Sequence, residues 1–453
     1  MSTRFSYSRY LYWCALSGLV FLSACSSNQI YRSQLEICKY QGAGSCSESS
    51  LQVSGVNNAD EYHLGFVEYS DQGQLRTRAQ MNAVLEQYRA IAAKDDVLLT
   101  VFVHGWHHSA QPEDDNISSF RGMLELLSKN EHLGSQQQGR KRRKVLGIYV
   151  GWRGDSITVP YVKGLTFWDR KNTAHDVGQQ GVTELLLKLE EIVNVKTGMT
   201  PENPPPNISK LVVIGHSFGG AVLFSSLHKI LVDRFINSQR GKTFSGDAEG
   251  FGDLVVLINP AFEALRFAGL YDLSQEYCRG YFASQVPKLA ILTSEADYAT
   301  KFAFPTGRFF STIFESHVTL TDRNYCTGPG SANMQTLQID EGAADRNTVG
   351  HFTPYLTHRL NPVSITALQK DSRQLIQIQN DWAGQSNADT LDFNGSRLTS
   401  LGRTTQLNPY LNIQVDKELI RNHNDIWGDQ IINFISELVI ISTTPSFDPD
   451  PEQ

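Results

Sequence analysis

Residues 210 to 220 read Lys-Leu-Val-Val-Ile-Gly-His-Ser-Phe-Gly-Gly. Leu211 to Ile214 is a short run of branched apolar residues, the pattern of a strand buried on both faces. From Ala221 to Phe235 apolar residues recur at helical spacing, which predicts a helix. The G-x-S-x-G pentapeptide Gly215 to Gly219 joins the two. A turn this sharp strains its central residue, and the flanking glycines remove side chains that would collide. The turn is expected to lift the Ser217 hydroxyl clear of the sheet, into solvent, as a nucleophile.

The same alternation continues on both sides. Val97 to Val103 predicts a strand running into His104-Gly105-Trp106, and Arg121 to Leu127 a helix. Val145 to Val150 is a second strand and Thr183 to Val195 an amphipathic helix, followed by a surface loop at Pro201 to Pro206. Beyond the pentapeptide come strands at Leu254 to Ile258 and Lys288 to Leu292, a strand at Leu411 to Val415, and a closing helix at Gly428 to Ile441. The expected fold class is α/β, with a mostly parallel sheet and helices on both faces. From Phe302 to Pro409 the rhythm gives way to sequence rich in Gly, Asn, Thr and Asp. That stretch is too long for an ordinary loop and reads as an insertion or cap over the sheet's carboxyl edge. No internal repeat is visible.

From about residue 95 to residue 440 the chain resembles the α/β-hydrolase superfamily, serine hydrolases of the esterase and lipase type. The motifs that carry the likeness are the pentapeptide, the His104-Gly105 turn before it, and a carboxylate and a histidine after it. The resemblance implies the chain order nucleophile, acid, base. His423, in Arg421-Asn422-His423-Asn424-Asp425-Ile426 before the closing helix, matches the base, with His351 as the competitor. Asp297, on the loop after an apolar strand, matches the acid, with Glu295 close enough to compete. Some lipases carry the acid one strand earlier; here that place reads Asn259-Pro260-Ala261, without a carboxylate, although Glu263 is near. Backbone N–H groups of Phe218 and Trp106 are the implied oxyanion donors. The implied activity is hydrolysis of small-molecule or lipid carboxylic esters, with no cofactor. The same residues also suit an acyltransferase or a peptidase. From another class, the fold could serve as a non-catalytic binding lipoprotein.

Composition bounds the partners and the compartment. The 453 residues are 40% hydrophobic and 19% charged, as in soluble globular proteins, and the net charge of −7 argues against a nucleic-acid partner. Arg4 and Arg9 precede the apolar run Leu11 to Leu22, too short to span a bilayer. Leu22-Ser23-Ala24-Cys25 resembles the lipobox of bacterial lipoproteins, in which the cysteine is acylated and becomes the first residue. Residues 1–24 are therefore expected to be a signal peptide and 25–55 a lipidated tether. Residues 56–442 form the main domain, with 302–409 the insertion, and 443–453 a disordered tail. Ser26 rather than Asp after the cysteine favours the outer membrane, facing the periplasm. Cys38, Cys46, Cys278 and Cys326 remain, and an oxidising compartment makes disulfides plausible. Of three possible pairings, Cys38 with Cys46 would close a short loop and Cys278 with Cys326 would staple the later strands; free buried thiols are the alternative. The sequence leaves the oligomeric state open.

Other signals read as structural. His104, His107 and His108 lack the carboxylate or cysteine spacing of a metal site, and none is expected. Arg153-Gly154-Asp155-Ser156 reads as a sheet-edge loop. The basic run Arg140 to Lys144 reads as a solvated loop, with anionic lipid headgroups as a minor alternative.

Overall fold

The computed structural model describes residues 30–152, 173–174, 177–194, 208–240, 243–312, 315–363, 373–384 and 389–443. The signal peptide, Cys25, the tetrapeptide Arg153 to Ser156 and the tail beyond Thr443 lie outside them; Thr443 itself, expected to open the tail, is the last residue of the closing helix. The strands, in chain order, are β1 (Gln34–Lys39), β2 (Ser49–Ser54), β3 (Tyr62–Glu68), β4 (Val97–Val103), β5 (Lys144–Gly151), β6 (Lys210–His216), β7 (Leu254–Ile258) and β8 (Leu289–Ser294). They continue with β9 (Thr321–Cys326), β10 (Met334–Ile339), β11 (His358–Pro362), β12 (Thr390–Phe393), β13 (Ser396–Ser400) and β14 (Tyr410–Val415). The principal helices are α1 (Arg78–Ala92), α2 (Asp115–Gln137), α3 (Thr183–Val193), α4 (Phe218–Asn237), α5 (Ala264–Gln275), α6 (Phe304–Ser311), α7 (Glu341–Arg346), α8 (Arg373–Ala383) and α9 (Asp429–Thr443).

Twelve strands form one sheet in the order β1-β2-β3-β5-β4-β6-β7-β8-β14-β11-β13-β12. From β3 to β11 the pairings are parallel, so the chain is α/β with a mostly parallel central sheet. Alternating side chains feed two cores. On β4, Val97, Leu99, Val101 and Val103 pack with α1, α3, α4 and α5, whereas Leu98 and Phe102 pack with α2 and α9. Both faces are covered, which is why the central strands read as unbroken apolar runs. Local signals start the helices: the Thr77 hydroxyl accepts the Ala79 N–H ahead of α1, and Asp114 accepts that of Asn116 ahead of α2.

Two expectations need correction. Residues 34–54 are not a tether, because β1 and β2 extend the sheet beyond β3. The side chains of β1 are almost all exposed, so it carries no apolar alternation to read. Residues 302–409 are only partly an excursion: β11, β13 and β12 continue the central sheet, while α6, α7 and the β9–β10 hairpin lie outside it. Both cysteine pairs, Cys38–Cys46 and Cys278–Cys326, are disulfides, with Cα separations of 5.7 and 5.4 Å. Among the described residues no helix is long and apolar enough to cross a membrane.

Candidate active site

The carboxyl ends of β4, β6, β7 and β8 lie side by side, with Val103 beside Gly215, His216 beside Ile258 and Leu292 beside Ile258. Ser217 sits at the end of β6 with φ +55°, ψ −121°, a strained conformation for a residue with a side chain. The strain is held from both sides: the Ser217 N–H donates to Ile258 O at 2.9 Å, and Ser217 O accepts from Ala261 N at 3.1 Å. A Cβ on Gly219 would collide with the carbonyls of Val103 and His104, and one on Gly215 would come within 2.7 Å of Gly219 O. Only glycine lets α4 fold back this closely on β6.

Three side chains from distant parts of the chain meet here. The Ser217 hydroxyl donates to His423 Nε2 at 2.7 Å, and His423 Nδ1–H donates to Asp297 Oδ1 at 2.9 Å. Asp297 is fully buried (0% exposed). Its carboxylate also accepts the N–H groups of Ala299 and Thr300, at 3.0 and 3.1 Å, and the Thr300 hydroxyl. Burial pushes this carboxyl upward, but His423 and the Thr300 hydrogen bonds outweigh it and hold it below its ordinary value. A hydroxyl, imidazole and buried carboxylate linked in this way can pass the serine proton to the ring while the carboxylate holds the imidazolium.

Ser217 is only 3% exposed, rather than standing out in solvent. The His104-Gly105-Trp106 loop and His423 close over it. A Cβ on Gly105 would lie 2.7 Å from Ser217 Cβ, so the loop needs glycine to pass this close. The Trp106 ring lies against Phe218, with centroids 6.5 Å apart. Phe218 is the first residue of α4, at the positive end of the helix dipole and next to Ser217. His104 fixes the loop: Nδ1–H donates to Gly105 O at 2.8 Å, Nε2 accepts Trp152 N–H at 3.1 Å, and the two rings stack. Burial lowers this imidazole to about 4, so it is neutral at neutral pH.

The competitors take other places. His351 Nε2–H donates to Thr300 Oγ1 at 3.0 Å, one residue removed from the Asp297 carboxylate. Burial lowers it to about 4, against the upward pull of Asp297. Glu295 pairs with Arg359, and buried Glu263 lies between Arg266 at 2.8 Å and Arg308 at 3.4 Å. In the histidine turn, His108 holds Asp114, the cap of α2, at 3.0 Å. Among the described residues Glu315, His317 and Asp345 form the one trio close enough to share a cation, and the Arg308 guanidinium already contacts Asp345 at 2.7 Å.

Two residues of the site were not read from the sequence. His216 Nε2–H and Asn259 Nδ2 both donate to the backbone carbonyl of His423, at 2.9 and 3.0 Å. Asn259, with φ +46°, also accepts the Ser294 N–H at 2.9 Å, so it couples the end of β8 to the His423 loop. Burial first, then the proximity of His423, lowers His216 to about 3, leaving a neutral donor. The polar Asn259 before Pro260, directly after a buried strand, was the available signal. No protein-family model matches the chain, and no curated protein matches it.

Proposed function

We propose that this chain is a serine hydrolase of the α/β-hydrolase fold that cleaves carboxylic esters. The observation that carries the reading is the continuous hydrogen-bond chain Ser217–His423–Asp297 at the carboxyl edge of a parallel sheet. His423 takes the Ser217 proton as Oγ attacks the ester carbonyl. Asp297 holds the Nδ1–H tautomer and stabilises the imidazolium. The negative charge on the carbonyl oxygen falls to the N–H groups of Phe218 and Trp106. The tetrahedral species expels the alcohol, which leaves with the proton from His423, and an acyl-Ser217 ester remains. Water, deprotonated by His423, then releases the carboxylic acid and restores the serine. In this reading Asn259 and His216 fix the backbone of the base, and Thr300 fixes the acid.

The signal at residues 1–24 and the lipobox at Cys25 favour placing the enzyme on the outer membrane, anchored by lipid and facing the periplasm. A panel of p-nitrophenyl esters from acetate to palmitate tests the activity. Turnover of at least one ester, lost in Ser217→Ala, supports the reading; an inactive folded wild type across the panel refutes it.

A further inference from the structure

The first described residues are fastened to the loop that carries Trp106. Arg32 is 2% exposed. Its Nε donates to Ala110 O at 2.9 Å, and its Nη1 to the carbonyls of Ser47 and Cys46 at 2.6 and 3.2 Å. The guanidinium lies 4.2 Å from the centre of the Phe66 ring. The Tyr31 and Arg32 N–H groups donate to the Glu68 carboxylate at 3.0 and 2.9 Å, and Gln80 donates to Arg32 O at 2.8 Å. A buried cation with this many partners holds residues 31 and 32 firmly against the end of β3 and the β4–α2 loop. Ala110 and Trp106 lie on that same loop, four residues apart.

Strand direction puts the chain's entry on the functional edge. β2 is antiparallel to β3, with Leu51 beside Gly65 and Ser54 beside Tyr62, and β1 is parallel to β2. The chain therefore enters β1 from the carboxyl edge of the parallel set, where Ser217, His423 and Asp297 meet.

We infer that this edge faces a lipid bilayer and that the site draws its ester substrate from that surface. The inference rests on the serine-hydrolase reading and on acylation of Cys25. Four residues lie between Cys25 and residue 30, so the five steps span at most about 18 Å at ~3.5 Å per residue. A folded chain of this length has a radius of gyration of about 22 Å. So short a link cannot pass round the body, and the edge where the chain enters must stay close to the membrane.

A second observation, on another part of the same edge, agrees. Directly after Asp297, Tyr298 and Phe302 are 70% and 55% exposed, and their rings stack with centroids 5.6 Å apart. Tyr298 suits the headgroup layer, where its apolar ring and its hydroxyl are both satisfied, and Phe302 adds apolar surface beside it. The opposite edge offers no rival contact through its basic run. Lys141 pairs with Asp95 at 2.6 Å, Lys144 with Glu61 at 2.7 Å, and Arg140 and Arg143 share Glu131. Arg142 is spent on the carbonyls of Asn58 and Ala59.

The test uses the acylated full-length protein in vesicles of phosphatidylethanolamine and phosphatidylglycerol that carry a long-chain fluorogenic ester. A second form carries about thirty Gly/Ser residues inserted between Ser27 and Asn28. Effective concentration falls as roughly the −3/2 power of tether length, so hydrolysis of the vesicle-borne ester drops about twentyfold in the long form. The rate on a short soluble ester is the same in both. Brominated lipids quench a tryptophan placed by Tyr298→Trp and spare one placed by Lys141→Trp. Equal vesicle rates, the reverse quenching pattern, an unacylated Cys25 by intact mass, or Tyr298→Trp buried in a dimer each overturn the inference. Absence of activity on both the soluble and the vesicle-borne ester in both forms refutes the hydrolase reading itself and removes the substrate half of the inference, while the quenching arm still reports orientation.

Discussion

Asp297→Asn removes one charge from the site and almost no volume. The carboxylate is fully buried and accepts His423 Nδ1–H at 2.9 Å, which puts the charge centres of carboxylate and imidazolium about 4 Å apart. At an effective dielectric of about 20, that pair is worth roughly 4 kcal/mol. The interaction exists in full only when the ring is charged, as the tetrahedral species forms, so the loss appears in kcat. Four kcal/mol corresponds to a loss of ~10³-fold. The orientation of the amide is settled by its neighbours: its oxygen must face the three N–H donors, leaving Nδ2 against the Thr300 hydroxyl. The assay is kcat and KM on the best p-nitrophenyl ester, with circular dichroism and Tm as folding controls. A folded variant within about tenfold of wild-type kcat would refute the role given to Asp297. A stability signature accompanies it. The carboxyl is held below its usual value, so its ionised form stabilises the fold above that range, and the contribution fades as pH falls through the depressed value. The Asn variant therefore loses less stability on acidification below about pH 4 than wild type does.

Asn259→Ala removes one of two side-chain donors to the His423 carbonyl and the acceptor for Ser294 N–H. It is expected to lower kcat about 10–100-fold at nearly constant KM, with a stability loss of ~1–3 kcal/mol by denaturant melting. Unchanged kcat removes Asn259 from the positioning of the base. Burial raises Glu437 to about 7; among the described residues its carboxylate accepts only the Asn394 N–H, at 3.1 Å. A raised acid leaves stability intact below its unfolded value and erodes it as pH climbs to the folded one. Glu437→Gln keeps the acceptor and is therefore expected to raise Tm at pH 8 but not at pH 4; the reverse pattern contradicts the assignment. Replacing Cys278 and Cys326 by alanine opens a loop of sequence separation 48. The expected cost is about 4 kcal/mol, read as a lower denaturation midpoint in the oxidised protein. No difference between the double variant and oxidised wild type rejects a stabilising role for this bridge.

The centre of the fold was legible because its strands are buried on both faces. Val97 to Val103, Leu211 to Ile214 and Leu254 to Ile258 are apolar runs that no surface strand would carry. The flanks were not legible for the opposite reason. β1 leaves its side chains in water, and what holds it there is the ladder to β2, the Cys38–Cys46 bridge and the contacts of Arg32, none of which appears as periodicity. The site divides in a similar way. Ser217 announces itself through the glycines its turn requires, and Asp297 and His423 follow from chain order. Asn259 and His216 act on a backbone carbonyl, and a sequence does not say where a carbonyl points. His351 and Glu295 have the right chemistry in the right neighbourhoods, and only distance separates them from His423 and Asp297. His351 reaches Thr300 rather than Ser217, and Glu295 is turned outward to Arg359.

The proposed hydrolase requires Ser217 to be an activated nucleophile. Purified full-length protein incubated with a fluorophosphonate probe tests it directly, read by intact mass before and after tryptic mapping. One covalent adduct is expected, on Ser217, formed by wild type, absent in Ser217→Ala and strongly slowed in His423→Ala. A folded wild-type protein that takes up no probe, or takes it up on another residue, contradicts it.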